Sequence, residues 1–543
     1  MDETIGMKKE FHDISVGDIE VGESAPVTED DKMLLNLGYK QEFKREFSLL
    51  AVFGQSFGSM GLCPSLVGSM AFSMNCGAGG MVWSWFVGAT CLLPIAFALS
   101  ELASSMPTSG SLYFWTAYLS PPKYRAFLSW FLGYVLALAY STGFASTIYA
   151  AAGLVQATAS VANPSYAPTK YEEYGIYVAL SFACSALIVL PTKFLARFSS
   201  FNVVFQICTI LIFIISLAAS STSETRNTGS YIFGNFENYS GWTNMGWSFI
   251  LCFTTPVWVL SGFESCATIV EEAKNASKAA PIAIISSLTV SLFMGFCIMI
   301  TIAGTMGHDF SSILNTPYGE PVSQVLYNNL GKRGAVGVSA VLIIALCFNC
   351  SALCLASSRE IFAFARDKGL PGSWIFRKLT PGGIPLNAIL LVNLYTIIVG
   401  LLMLVNVTAI SSIFNLAIIA FFISYSLPLV CRLLFNRLNP GKFYCGKFSK
   451  PISIVAVAWL WFMALMLLFP SYQNPNKVEM NWAIVVLGFT VFFCVGYYYL
   501  PKYGGKTFFK GPVKTVDENV TEGVTVDFQA DHVSKEDDGK SYN

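Results

Sequence analysis

Apolar segments long enough to cross a lipid bilayer recur along most of this chain. A transmembrane helix needs about 20 largely apolar residues, whereas a strand of a membrane barrel needs only about 10 and alternates polar with apolar residues. The segments here have the helical length and no such alternation. We therefore predict an all-α polytopic membrane protein with twelve transmembrane helices. The predicted spans lie near residues 48–72, 80–101, 127–158, 174–190, 201–221, 246–270, 281–305, 335–358, 387–407, 410–431, 452–470 and 481–500.

The composition supports this class and excludes others. Of 543 residues, 54% are hydrophobic and only 12% are charged, which is too little polar surface for a water-soluble protein of this size. The formal net charge is zero, so the overall balance indicates no nucleic acid partner. The expected surroundings are the lipid bilayer.

Basic residues are distributed unevenly between the predicted loops. With the N-terminus in the cytosol, the cytosolic loops hold twenty Lys or Arg residues and the opposite loops hold five. Cytosolic loops of membrane proteins carry such an excess, so we predict that both termini are cytosolic. The predicted domains are an acidic N-terminal tail (1–46), a transmembrane domain (47–500) and a C-terminal tail (501–543). The plasma membrane, the vacuole and the Golgi or ER membrane all stay open as locations.

Two of the predicted spans contain residues that interrupt helices. Glycine weakens a helix and proline breaks one, and matched interruptions in the two halves of a chain indicate a transporter built from inverted repeats, with its site at the breaks. The alternative is that these small residues only allow helices to pack closely. The interrupting residues are Gly54, Gly58, Gly61 and Pro64 in the first span and Pro256, Ser261 and Gly262 in the sixth.

The sixth span also contains a carboxylate, Glu264, beside its predicted break. A charge at mid-membrane depth costs about 2.5–3.5 kcal/mol, and the central parts of the predicted spans contain no Lys or Arg to pair with it. Glu264 is then protonated, hydrogen-bonded, or paired with a cation that arrives. Alternatively it lies near the cytosolic end in contact with water, because Glu271 and Glu272 follow closely. Trp258 and Phe263 flank the break and either wall a cation site or simply pack.

Several stretches together resemble one transporter family. The chain resembles the fungal amino acid/choline transporter family of the amino acid–polyamine–organocation superfamily, most closely its GABA permeases, over residues 34–500. The stretches that carry the resemblance are "LLNLGYKQEFKREFSLLAVFGQSFGSMGLCPS" into helix 1, "ELASSMPTSGSLYFWTAYLSPPKYRAFLSWFLGY" across helices 2 and 3, "SGFESCATIVEEAKNASKAAPIAI" through helix 6, "SREIFAFARDKGLP" after helix 8 and "GIPLNAI" entering helix 9.

The resemblance implies a fold and a site. The fold is a five-plus-five inverted repeat of the leucine-transporter type followed by two extra helices, with the substrate held between the breaks of helices 1 and 6. In transporters of this fold, backbone N–H groups at the first break receive a carboxylate and carbonyl groups of helix 6 receive an amine. The candidate substrate-binding residues are Gly58, Ser59, Met60 and Gly61 in helix 1 and Trp258, Ser261, Gly262, Phe263 and Glu264 in helix 6.

Two further residues are candidates for an inner gate. Glu101, at the cytosolic end of helix 2, opens the loop "ELASSMPTSG" and is expected to meet a basic residue. It could equally be a charged helix end that faces the cytosol. Arg359, at the inner end of helix 8, is interpreted first as a topology anchor and second as a gate residue.

The resemblance implies a secondary active transporter for an amino acid or related small amine of the GABA, choline, polyamine or thiamine class. Members of the family generally use protons, and Glu264 could carry one, so the predicted coupling ion is H+. Helix 5 lacks the lysine that some members of the superfamily have there, which leaves the ion open. A uniporter or exchanger of the same solutes and a nutrient-sensing receptor on a transporter fold are the alternatives.

Enzymes and channels fit the sequence less well. We find no zinc-protease, serine-hydrolase or nucleotide-binding motif in a suitable context, and the three histidines lie outside the predicted spans. No cofactor or metal is expected. A channel would show a selectivity filter or a ring of charges, rather than two isolated helix breaks.

Overall fold

The structure, a computed structural model, is helical throughout the part of the chain it describes. It describes residues 29–38, 45–380, 383–405, 407–470, 473 and 480–513. Within these ranges all named elements are helices, and extended backbone pairs only in an isolated bridge between Phe47 and Ala273. The predicted fold class, an all-α membrane protein, is confirmed.

The chain divides into two compact units, which are described separately. One comprises Met1–Lys40 and Val516–Asn543, and its described part contains the short helix α1 (Glu29–Asn36). The other, Gln41–Thr515, contains all the remaining helices. The predicted tails (1–46 and 501–543) lie largely outside the described residues, and the three domain boundaries stay predictions.

The first half of the larger unit contains both broken helices. The helix that corresponds to the first predicted span is divided at Gly61, and the sixth is divided into two short α-helices and a 3-10 segment. The helices are α2 (Leu49–Met60), α3 (Leu62–Ser73), α4 (Gly77–Ser105), α5 (Ser111–Leu119), α6 (Pro122–Ala162), α7 (Lys170–Ala186), α8 (Thr192–Ser220), α9 (Gly229–Gly234), α10 (Met245–Leu251) and α11 (Thr254–Val259), followed by the 3-10 segment Ser265–Glu272.

The second half consists of longer, mostly continuous helices. They are α12 (Ala276–Thr305), α13 (Phe310–Leu314), α14 (Pro321–Arg366), α15 (Ser373–Phe376), α16 (Leu386–Gly400), α17 (Leu402–Val405), α18 (Val407–Phe435), α19 (Ser449–Met466), α20 (Ala483–Tyr499) and α21 (Gly505–Phe508). Non-helical backbone at Gly331, with a φ of 65°, divides α14 into a short N-terminal part and a long C-terminal part.

Nine helices among the described residues are long and apolar enough to cross a membrane. One of these nine stretches, Leu49–Ser105, combines α2, α3 and α4 over 57 residues, which is well over twice the length that one crossing needs. Two shorter apolar helical stretches, Met245–Val259 and Ala483–Tyr499, coincide with the predicted sixth and twelfth spans. The total of twelve crossings stays a prediction.

The broken helices are enclosed by three long helices. The helix α6 packs against both α14 and α18, while α3 packs against α6 and α14, and α11 packs against α3 and α18. On the other side α4 packs against α12. This arrangement places both helix breaks in the interior, where backbone groups that leave the helical pattern need partners other than water.

Candidate functional site

The break in the first span is a single glycine between two helices. Gly61 has φ 51° and ψ 52°, the left-handed conformation, between the end of α2 at Met60 and the start of α3 at Leu62. A Cβ atom on Gly61 would lie 2.6 Å from side-chain atoms of Asn349. Pro64 falls in the first turn of α3, where a proline is tolerated. The predicted interruption of this span is confirmed, and only glycine fits its turning point.

Asn349, in the middle of α14, supplies the partners that this break requires. Its Nδ2 group donates hydrogen bonds to the carbonyl oxygens of Gly58 (2.8 Å) and Ser59 (2.6 Å). These carbonyls belong to the last turn of α2, and no following turn of the same helix offers N–H groups to them. Asn349 is fully buried, and its Oδ1 atom has no hydrogen-bond partner among the described residues. That oxygen is therefore free to accept a hydrogen bond from a solute or a water molecule.

The break in the sixth span is longer and irregular. The helix α11 ends at Val259, Gly262 has a φ of 85°, and the chain then continues as a 3-10 segment from Ser265. The hydroxyl of Ser261 donates to the carbonyl of Val257 (2.6 Å). The hydroxyl of Ser265 donates to that of Ser59 (2.8 Å), which links the two breaks directly. The predicted interruption of this span is also confirmed.

A small cavity lies between the two breaks. Its volume is about 20 Å³, enough for about one water molecule. A solute of several heavy atoms would therefore need the surrounding helices to move apart. The lining residues come from both broken helices, α6, α14 and α18, and they are Ser59, Met60, Ser65, Gly143, Thr147, Trp258, Val259, Ser261, Asn349, Leu353, Ala417 and Phe421.

Four of the nine predicted substrate-binding residues line this cavity: Ser59, Met60, Trp258 and Ser261. The indole N–H of Trp258 donates to the hydroxyl of Ser146 (3.1 Å), so its position is fixed from α6.

The other five predicted residues do not line the cavity. Gly61 and Gly262 form the two turning points, while Gly58 packs against Asn202, to which a Cβ atom would approach within 2.4 Å. The ring of Phe263 is fully buried and lies 5.5 Å from that of Tyr425, centroid to centroid. The fifth residue is Glu264, and it does not line the cavity.

Glu264 is buried and held by two tyrosines. Its side chain is 0% exposed, so the alternative of a carboxylate in contact with cytosolic water is wrong. Tyr140 of α6 donates to Oε1 (2.8 Å) and Tyr425 of α18 donates to Oε2 (2.5 Å). The Tyr425 hydroxyl also accepts the backbone N–H of Gly262 (3.0 Å). Among the options of a proton, hydrogen bonds or an arriving cation, the structure shows hydrogen bonds to Glu264. Through Tyr425, these bonds also connect the carboxylate to Gly262, the turning point of the sixth span.

The two predicted gate residues form buried ion pairs in different places. Arg359 contacts Glu272, at the end of the 3-10 segment, with Nε 3.1 Å from Oε1. Next to this pair the backbone N–H of Phe47 donates to the carbonyl of Glu272 (2.9 Å), and that of Lys274 donates to the carbonyl of Phe47 (3.0 Å). The beginning of the first span and the end of the sixth are thus joined on the side predicted to be cytosolic.

Glu101 meets the basic residue that the sequence led us to expect. Its Oε2 atom lies 2.5 Å from Nη1 of Arg432 and accepts a hydrogen bond from the hydroxyl of Ser449 (2.7 Å). Its Oε1 atom accepts the backbone N–H of Cys445 (2.8 Å). Because Glu101 is 1% exposed, the alternative of a helix end facing the cytosol is wrong. The contacts join α4 to α18 and α19.

Reasoning from the sequence missed the residues that hold the breaks in place. Asn349, Tyr140 and Tyr425 were not predicted, although each is a polar side chain inside an apolar span. An asparagine at the centre of the eighth span was the available signal, since buried amides in membrane helices need partners.

Comparison with known proteins supports one family. Residues 47–491 match the family model described as amino acid permease. An amino-acid permease of Schizosaccharomyces pombe is 60% identical over 92% of this chain and 91% of its own length. The GABA-specific permease of Saccharomyces cerevisiae is 34% identical over 96% and 92% of the two chains, and amino-acid permease 2 of Neurospora crassa is 33% identical over 89% of each. The chain therefore belongs to the amino acid permease family and is an integral membrane transporter for amino acids or amines.

Proposed function

We propose that the protein is a secondary active transporter that moves an amino acid or a related small amine together with protons, by alternating access. The observation that carries this proposal is the buried cavity lined by both broken helices. Inverted-repeat transporters hold their substrate at such paired breaks.

The ends of the broken helices favour a solute with opposite charges. The helix α3 begins beside the cavity with no side-chain cap at Gly61, and α11 ends beside it at Val259. The N-terminal end of a helix is partially positive and favours an anion, whereas the C-terminal end is partially negative and favours a cation. A carboxylate would bind near α3, and an ammonium group near α11 and Oδ1 of Asn349.

The aromatic residues of the cavity support the same class of substrate. The side chains of Trp258 and Phe421 both line it, and aromatic faces attract ammonium groups. The candidate substrates are therefore amines of the GABA, choline, polyamine and thiamine classes, of which GABA alone also has the carboxylate that the start of α3 favours. One of the related proteins above is named as specific for GABA, which places GABA first among the compounds to test.

Glu264 is the proposed proton carrier. As it stands, the carboxylate accepts hydrogen bonds from Tyr140 and Tyr425, and Tyr425 in turn accepts the N–H of Gly262. A proton on Oε2 would turn an acceptor into a donor, so the hydrogen bond from Tyr425 would have to be rearranged. Protonation would in this way alter the support of the break in the sixth span, close to the cavity.

Alternating access needs a gate that closes on the predicted cytosolic side. The ion pair of Arg359 and Glu272 and the bridge between Phe47 and Ala273 join the inner ends of the first and sixth spans. We propose that these contacts break when the site opens inward. Glu101 joins α4 to α18 and α19, and we propose that it holds these helices in place during this movement.

The test is uptake by purified protein in lipid vesicles, with labelled GABA, choline, putrescine, thiamine and common amino acids. We expect saturable uptake of at least one amine, stimulated by a proton gradient directed inward. Glu264→Gln should abolish the stimulation, whereas Glu224→Gln, in an exposed loop, should leave it unchanged.

Other outcomes would identify the alternatives. Uptake whose rate does not depend on the proton gradient indicates a uniporter. Uptake that occurs only into vesicles preloaded with substrate indicates an exchanger. Binding without flux indicates a receptor. Uptake that requires sodium and ignores pH would overturn the proton assignment.

The orientation of the chain is part of the same proposal. We propose that both termini face the cytosol, from the distribution of basic residues. Epitope tags at the two ends should be reached by antibody only after the membrane is permeabilised. Labelling of either tag on intact cells or closed organelles would contradict it.

A further inference from the structure

Glu360 of α14 is a second buried carboxylate, and it is satisfied less well than any other discussed above. The side chain is 0% exposed, and neither Oε1 nor Oε2 has a hydrogen-bond partner among the described residues. Glu264 by contrast has two tyrosines, Glu101 has an arginine and a serine, and Glu272 has an arginine. An ionised carboxylate buried without hydrogen-bond partners is costly, so binding a proton would stabilise Glu360.

The position of Glu360 is on the cytosolic side of Glu264 in the predicted topology. The acidic groups whose charges act on it are Asp367 and Glu264, and the charge of Glu360 also acts on Tyr140. Asp367 follows seven residues later, directly after the end of α14, which places it on nearly the same face about 10 Å further along the axis. It caps the inner end of that helix and accepts the backbone N–H of Val513 at Oδ1 (3.1 Å).

The described titratable groups on the elements around this part of α14 donate no hydrogen bond to either oxygen of Glu360. The adjacent Arg359 directs its Nε to Glu272. The helix α2 contributes no titratable side chain. The groups on the other elements are Tyr113 of α5, Tyr134 and Tyr140 of α6, Glu264, Glu271 and Glu272 of the sixth span, Tyr395 of α16, Tyr425 of α18, and Cys354, Arg359, Arg366 and Asp367 of α14 itself and its cap.

We propose that Glu360 is a proton-relay site between Glu264 and the predicted cytosolic surface. Glu360 first releases its own proton towards Asp367 and water. The O–H bond on Glu264 then breaks, an O–H bond forms on the ionised Glu360, and a negative charge is left on Glu264. Water that enters as the inner contacts open would connect the two groups. This inference rests on the proton coupling proposed above.

The relay accounts for a feature that coupling through Glu264 alone leaves unexplained. Glu264 is fully buried and does not line the cavity, and both of its oxygens accept hydrogen bonds from tyrosines, so it has no direct contact with water. A second carboxyl group without fixed partners can accept a proton without first breaking a hydrogen bond. Glu360 has this property, since both of its oxygens are unpaired.

The experiment separates exchange of substrate from accumulation driven by protons. Parent protein and Glu360→Gln are placed in vesicles that contain a pH-sensitive dye. Labelled GABA is used, or the compound of the panel above that the parent takes up fastest. We expect the exchange rate of Glu360→Gln at equal pH to stay within about twofold of the parent, while accumulation driven by a pH gradient falls at least about tenfold and acidification of the vesicles disappears.

Glu360→Asp and Glu224→Gln are the matched controls. Aspartate keeps a group that can exchange a proton, so Glu360→Asp should recover part of the accumulation. Glu224→Gln removes an exposed carboxylate and should behave as the parent. Unchanged accumulation and acidification in Glu360→Gln would overturn the proposal. Loss of exchange together with accumulation in folded protein would also overturn it, because Glu360 would then serve substrate binding or the fold.

A failure of the proposed function would look different. If the parent itself accumulates substrate without acidifying the vesicles, proton coupling is wrong before any variant is considered.

A measurement on the parent protein covers the case in which Glu360→Gln does not fold. Dicyclohexylcarbodiimide reacts with protonated carboxyl groups in apolar surroundings, and peptide mass spectrometry locates the product. We expect modification at Glu360 that declines as pH rises. Absence of modification at Glu360 over the pH range in which the parent transports would overturn the relay.

Discussion

The two helix breaks meet at one cavity but are built differently. In the first span a single left-handed glycine, Gly61, separates two regular helices, and the released carbonyls bind one amide, that of Asn349. In the sixth span the irregular backbone extends from the end of α11 to a 3-10 segment. It is supported by the hydroxyl of Tyr425, which also binds Glu264.

The two breaks differ in how far their backbone conformation can change. At Gly61 an added Cβ atom would lie 2.6 Å from Asn349, whereas at Gly262 the nearest atom would be 3.6 Å away, in Leu353. The first break is fixed by close packing. The second has space around its turning point and depends on a carboxylate that can gain a proton. We therefore expect the first break to act as a fixed support and the second to respond to protonation.

The largest expected effect is that of Gly61→Ala. The substitution forces a left-handed conformation on alanine, at about 1–2 kcal/mol, and places a methyl group against Asn349, at about 1–3 kcal/mol. We expect little folded protein and transport reduced more than tenfold. Size-exclusion profiles and uptake at matched protein amounts measure this. A stable, active Gly61→Ala protein would show that the first break is not fixed by packing.

Asn349→Ala should have the next largest effect. It removes both donors from the carbonyls of Gly58 and Ser59, and an unsatisfied buried group costs about 1–3 kcal/mol. We expect a lower melting temperature and loss of uptake. Asn349→Leu is the matched variant, because it keeps a side chain of similar size and loses the donors. If both variants have the melting temperature of the parent, water must replace the amide as the donor to the two carbonyls. The first break would then not depend on α14.

The two turning points, Gly61 and Gly262, also show how much of the site could be predicted from the sequence. The positive φ values at Gly61 and Gly262 agree with predicted breaks, because glycine in an apolar span is locally visible. The partners were not predictable in this way. Tyr140 and Tyr425 lie 124 and 161 residues from Glu264 along the chain, and nothing local relates them. Glu360 is next to Arg359 in sequence, yet the structure buries it without a bond to that neighbour.

The two tyrosines at Glu264 should not be equivalent. Tyr140→Phe removes one hydrogen bond to the carboxylate, whereas Tyr425→Phe removes one to the carboxylate and another from the N–H of Gly262. A hydrogen bond to a charged group contributes about 1.5–3 kcal/mol, so both variants should lower stability, Tyr425→Phe more than Tyr140→Phe. The pH dependence of uptake should also shift more in Tyr425→Phe. Equal shifts would mean that the link to Gly262 plays no part in coupling.

Gly262→Ala should have the smallest effect and is the closest comparison with Gly61→Ala. Both glycines have positive φ, so both variants suffer the backbone penalty of about 1–2 kcal/mol, but at Gly262 the methyl group would meet only ordinary van der Waals contacts at 3.6 Å and 3.8 Å. The variant should fold, with a slightly lower melting temperature. Its effect on uptake should be on the rate, because a left-handed alanine hinders backbone rearrangement at this turn, while the apparent affinity changes little. If Gly262→Ala is as damaging to folding as Gly61→Ala, then backbone conformation alone governs both breaks, and the contrast between a packed and an adjustable break is wrong.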